Sequence, residues 1–417
     1  MGCFNRNRHL YWGAAFFAGL AALGVGQAAL EQRAEAQARA AVQAPRFEVD
    51  PFWPKPLPNH WLLGSTIGVS VDAQDHVWIV HRGAATLNAR TEMSAATDPP
   101  TAEACCVPAP PVLEFDPVGN LVGHWGGAGE GYEWPESNHG ITVDYKGYVW
   151  IGGNGQKDAH VLKFTRDGKL LLQFGRAGAR RGPPDQKGQP TWVGGSHDKE
   201  NFGRVAKIFV DPKANEAYLA DGYLNKRVVV IDADTGQFKR YWGAYGHEPD
   251  DANLGRYDPD APPAQQFRNP VHCAELSHDG LLYVCDRPND RIQVFQKDGT
   301  FVKEVFIARR TLGDGSVWDI AFSKDPEQTY LYLADGKNEK VYIIKRDTLE
   351  ILTSFGDGGR QPGQFFAVHS IATDSKGNIY TTETYEGKRL QKFVYKGLAP
   401  VTSLNQGTPW PSRAGVQ

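Results

Sequence analysis

Three histidines, His139, His272 and His369, each head a short apolar run that ends in Asp or Ser: HGITVD (139–144), HCAELS (272–277) and HSIATD (369–374). Neutral imidazole is the commonest metal ligand, and three imidazoles around an open fourth position form the donor set of a catalytic zinc ion. The same kind of run occurs three more times without histidine, as IGVSVD (67–72), AKIFVD (206–211) and WDIAFS (318–323). In chain order the first position of the six runs reads Ile67, His139, Ala206, His272, Trp318 and His369. One histidine lining a channel is ordinary and needs no metal. Three at every second repeat, and none between, point to a ligand set.

The elements that must position these residues follow from the repeat itself. Each run leads through a polar turn into an aromatic-rich strand: HVWIVHR, YVWIGGN, EAYLADG, LLYVCDR, YLYLADG and NIYTTET. Third strands such as VLEFD, VVVID and VYIIK follow, and fourth strands such as LVGHWG and FKRYWG close most units. Four antiparallel strands repeated six times predict an all-β chain, a six-bladed β-propeller. Its four-stranded blades resemble NHL repeats. The sixth unit lacks an outer strand, and RFEVD (46–50) is expected to supply it and close the ring. Alternate blades of such a ring lie roughly 120° apart, so the three histidines should converge on the axis. Polar turns between first and second strands are short, whereas the long insertions at 83–111, 176–203 and 243–268 all fall on the opposite, top face. A site is therefore expected there.

Composition agrees. With 46 Gly and 27 Pro in 417 residues, a helical bundle is excluded, and 41% hydrophobic content excludes a disordered chain. The 45 Lys+Arg against 48 Asp+Glu give a net charge of −3, which argues against a nucleic-acid binder held by a basic face. Residues 1–44 read as a signal peptide and spacer, 45–400 as the propeller and 401–417 as a tail. Arg6, Arg8 and His9 precede an apolar stretch at 13–30, with small-residue cleavage candidates at Gly26–Ala28 and Ala36–Ala38. An uncleaved membrane anchor is the alternative. Export to a periplasmic or secreted location would let Cys105, Cys106, Cys273 and Cys285 oxidise, with connectivity left open.

The motifs resemble the peptidyl-α-hydroxyglycine α-amidating lyase family over about residues 64–395. NHGITVD, PVHCAEL and VHSIATD match its zinc-histidine segments, which implies a metal role for His139, His272 and His369. ADGYLNKRV matches the general-base motif and implies that role for Tyr223; VHRG and CDRPNDRIQVF imply substrate-binding roles for Arg82 and Arg287. All three residues end second strands and enter top-face loops. Arginine suits bidentate carboxylate recognition. The ordinary alternatives are a packing aromatic for Tyr223 and surface ion pairs for the arginines. His81, Asp221 and Asp286 read as structural.

Departures from the family are specific. An aspartate that helps bind a channel calcium is replaced by Ser370, which puts Ca2+ in doubt, although backbone carbonyls near Val69 and Ile141 remain. Ala367 and Leu224 replace a methionine and a cysteine. No segment of the sequence resembles the copper-binding monooxygenase that would make the hydroxyglycine. The resemblance implies an exported, monomeric lyase using Zn2+ or another divalent metal on a small carboxylate-bearing or peptide substrate. A zinc-dependent lactone or ester hydrolase, or a non-catalytic propeller binding a peptide or protein on its top face, are the alternatives.

Overall fold

A computed structural model describes residues 42–88 and 101–411, together with positions 27, 92 and 99. The signal-segment expectation thus lies almost wholly outside the described residues, as do parts of the first insertion and of the tail.

Six four-stranded antiparallel sheets make up the fold, each a blade whose innermost strand is one of the six runs. The inner strands are Thr66–Val71, Asn138–Val143, Val205–Asp211, Val271–Leu276, Asp319–Phe322 and Val368–Thr373. Trp318 falls just outside its strand, one residue short of the sequence expectation. Second strands such as Val77–His81, Val149–Gly153 and Tyr330–Asp335 are buried at every position, because each is covered by blades on both faces. Outer strands such as Leu121–Trp125 alternate between exposed and half-buried residues. The sixth blade is completed by Gln43–Asp50, antiparallel to Arg389–Pro400. Phe47 of that closing strand packs on Tyr332 and Phe355 of the fifth blade and on Tyr395 of the sixth, so the first strand of the fold clamps the last two blades.

The residue that closes each run has a mechanical role. Asp72 accepts the backbone N–H groups of Gln74 and His76 and the indole N–H of Trp78. Asp144 does the same for Lys146, Tyr148 and Trp150. The carboxylate thus builds the bottom turn and ties it to the aromatic of the next strand. At the other end of the blades a second device recurs. Asp221, Asp286 and Glu383 end second strands and pair with Arg227, Arg291 and Arg389, which open third strands, at 2.8, 2.7 and 2.8 Å. These pairs hold the top-face loops in place. The reading of Asp221 and Asp286 as structural agrees with this geometry.

Candidate metal centre and active site

The repeat phase delivers a nearly equilateral triangle. Ring centroids of His139, His272 and His369 are 4.8–5.0 Å apart, and their ligand atoms lie within 4.8 Å of one another. Each imidazole is oriented by the blade beside it. Nδ1 of His139 donates to the carbonyl of Ala206 at 2.7 Å, Nδ1 of His369 to that of Ile67 at 2.6 Å, and Nδ1 of His272 to that of Trp318. Ile67, Ala206 and Trp318 occupy the same repeat position on the first, third and fifth blades. Alternation therefore has two halves: even blades supply imidazoles and odd blades supply the carbonyls that aim them. With Nδ1 protonated, every Nε2 keeps its lone pair, which is the tautomer a metal needs. Gly140 permits the approach, since a Cβ there would lie 2.5 Å from the Ala206 carbonyl oxygen.

Electrostatics keep the trio neutral. All three are 2–4% exposed, and burial pushes every pKa down, that of His369 to about 3. The charges of Arg82 and Arg287 act in the same direction on His139 and His369. Three neutral, convergent Nε2 donors with the axial direction facing the top loops fit a zinc-like ion bound by three protein ligands.

Tyr223, Arg82 and Arg287 surround this centre. The Tyr223 hydroxyl is 2.8 Å from His139 Nε2 and 3.1 Å from His272 Nε2. Its loop can come this close because Gly222 precedes it; a Cβ there would lie 2.1 Å from the Val271 carbonyl oxygen, beside His272. Arg287 reaches the same hydroxyl at 3.4 Å and stacks 4.7 Å over Trp318, while its buried Nε has no protein acceptor. Arg82 is held by the Asn138 carbonyl at 3.1 Å and by Asn154 Oδ1 at 2.7 Å. His81, next to Arg82, is structural: Nε2 donates to the Pro110 carbonyl and Nδ1 accepts the N–H groups of Gly64 and Gly83.

A second cluster has metal-ligand composition, Asp72, His76 and Glu114. Arg166 fills it, with Nη1 2.6 Å from Asp72 and Nη2 paired to Glu114, and stacks on Trp78. A guanidinium already takes the lone pairs that an ion would need.

No family model matches the chain. Peptidyl-glycine alpha-amidating monooxygenase B of Xenopus laevis is 27% identical over 255 residues, 59% of this chain and 25% of that protein. Peptidyl-alpha-hydroxyglycine alpha-amidating lyase 1 of Drosophila melanogaster is 24% identical over 379 residues, 85% of this chain and 60% of that one. NHL repeat-containing protein 3 of Mus musculus is 24% identical over 373 residues, 85% of each. The chain is thus similar both to amidating enzymes and to an NHL-repeat protein, at 24–27% identity. It spans about a quarter of the length of the monooxygenase relatives.

Two site residues escaped the sequence reading. Tyr385 lies on the same top face, its ring 6.4 Å from Trp318, with burial raising its pKa and the arginines Arg287 and Arg82 opposing that rise. Its signal was present: Tyr385 follows Glu383 at the same offset as Tyr223 follows Asp221. Trp318 was seen only as a non-histidine, yet it serves twice, as the His272 acceptor and as the platform under Arg287. Both disulfides left open by the sequence are formed, Cys105–Cys106 and Cys273–Cys285. The second links facing residues of the strand pair that carries His272 and leads to Arg287. Among the described residues no helix is long and apolar enough to cross a membrane.

Proposed function

We propose that this chain is an exported, metal-dependent carbon–nitrogen lyase that splits an N-acyl-α-hydroxyglycine-like carbinolamide into an amide and glyoxylate. The observation that carries the reading is the Tyr223 hydroxyl held within hydrogen-bond reach of two of three convergent imidazoles and next to Arg287.

A zinc or similar divalent ion bound by His139, His272 and His369 would supply Lewis acidity toward a substrate oxygen. The chain's own groups do the rest. Arg287, stacked on Trp318 and with an unclaimed Nε–H, and Arg82, fixed by Asn138 and Asn154, hold the substrate carboxylate. Tyr223 is the group placed to take the proton of the α-hydroxyl group. The O–H electrons then form the new C=O bond, the C–N bond breaks, and the nitrogen leaves as the amide after receiving that proton. The acyl arm has room in a cleft of about 680 Å³ adjoining Arg287 and lined in part by Lys226, Leu254, Tyr257, Arg268 and Leu312. The protein works in an oxidising compartment, a reading supported by the Cys273–Cys285 bridge.

The test is glyoxylate release from α-hydroxyhippurate by zinc-loaded protein, compared with Tyr223→Phe. Release that depends on Tyr223 is expected. Turnover of lactones or esters without glyoxylate would replace the lyase with a hydrolase on the same residues.

A further inference from the structure

Just below the imidazoles, the channel is plugged by a half-buried lysine. Lys207 Nζ lies 2.6 Å from Asp319 and 2.9 Å from Glu275, and the three side chains are 12%, 3% and 14% exposed. They come from the inner strands of the third, fourth and fifth blades. Asp319 is also tied to the sixth blade, accepting Ser370 Oγ at 2.7 Å and the Ile371 N–H at 3.1 Å. Ser370 follows His369, so the lysine is linked through one carboxylate to the strand carrying the third imidazole. Between plug and imidazoles only about 10 Å³ of space remains. That holds one water at most. On the other side of Lys207 a cavity of about 480 Å³ opens to the bottom face.

Calcium, implied here by the family resemblance, takes six to eight oxygen ligands and favours anionic ones. These residues do not fit it. At the position after His369 stands a neutral hydroxyl that donates its proton to Asp319, and the two nearest carboxylates already hold an ammonium. Burial opposes that ammonium's charge, but Asp319 and Glu275 outweigh it and hold the Lys207 pKa above its ordinary value, while burial pushes Glu275 up to about 7 and leaves Asp319 as the main counter-charge.

We propose that Lys207 is the channel's built-in cation, joining three blades through Asp319 and Glu275 in place of a bound calcium ion. Removing the ammonium should turn those two carboxylates into a divalent-cation site. This inference is independent of the reaction.

Thermal unfolding of the full zinc-loaded chain, stripped of calcium and then given calcium chloride, tests it. Wild type should shift by less than about 1 °C. Lys207→Ala should melt several degrees lower and recover much of that loss with calcium, whereas Lys207→Arg should not respond. A wild-type gain as large as that of Lys207→Ala would overturn the proposal, as would a Lys207→Ala protein indifferent to calcium. If Lys207→Ala folds only when calcium is present during refolding, the proposal stands; if calcium never rescues it, the proposal fails. Calorimetric titration of wild type with calcium should give no saturable heat, and one-to-one binding would contradict it.

Discussion

Two clusters in this propeller contain histidine and could be written down as metal sites from composition alone. Asp72, His76 and Glu114 include two carboxylates and sit partly open at a turn; His139, His272 and His369 are buried and carry no charge. The first has more negative charge, yet Arg166 takes up its acceptors. At the second no protein cation sits among the Nε2 atoms, and each ring spends its proton at Nδ1 on a neighbouring carbonyl. What distinguishes the two clusters is therefore whether a protein cation takes the acceptors: a guanidinium does so at Asp72, His76 and Glu114, whereas the imidazoles face the Tyr223 hydroxyl. The Lys207 cluster beneath teaches the same lesson, since its two carboxylates are claimed by an ammonium.

Single substitutions at the two clusters should have different consequences. Tyr223→Phe should cost roughly 10²–10⁴-fold in kcat, the scale of a lost general base, while zinc content stays unchanged. Equal loss of zinc would mean that the hydroxyl is structural. Arg287→Lys keeps the charge but loses the planar fork and its stack on Trp318. It should raise KM by about 10–100-fold, the scale of one lost charged hydrogen bond, with kcat less affected. A pure kcat effect in steady-state kinetics would move Arg287 from carboxylate binding to the chemical step. At the other cluster, Arg166→Met should leave turnover intact and create weak zinc affinity at Asp72, His76 and Glu114, seen as a second, looser event in a zinc titration. No second event would show that the guanidinium is not what keeps that site closed.

A further effect is on stability. His81 is buried with its pKa lowered to about 4. Between pH 6.5 and 4 the unfolded chain binds a proton there that the folded chain refuses, so stability present above 6.5 declines by about 3 kcal/mol as pH falls through that window. Unfolding midpoints in denaturant against pH should show this fall, with a shallower slope in His81→Asn.

Much of this was legible in the sequence because a repeat converts linear spacing into angle. Histidine at every second repeat gave convergence, and strand ends gave the face on which Arg82, Tyr223 and Arg287 lie. The orienting carbonyls were not legible, since backbone groups of Ile67, Ala206 and Trp318 leave no trace in residue type. Lys207 was missed for a related reason. It follows Ala206 in a run that looks like any strand, and only closure of the ring brings Asp319 and Glu275 to it. Tyr385 was missable rather than hidden, because its offset from Glu383 repeats that of Tyr223 from Asp221.

The chemistry proposed for the top face depends on the alternate-blade imidazoles holding a metal ion. Metal content of the purified protein by mass spectrometry, after equilibration with zinc and removal of loosely bound ions, tests it most directly. One zinc per wild-type chain and none in His272→Ala is the predicted result, since losing a direct ligand should exceed the roughly 10–100-fold affinity cost of losing an outer hydrogen-bond partner. Metal-free wild type, or a His272→Ala protein that still holds one ion, would contradict it.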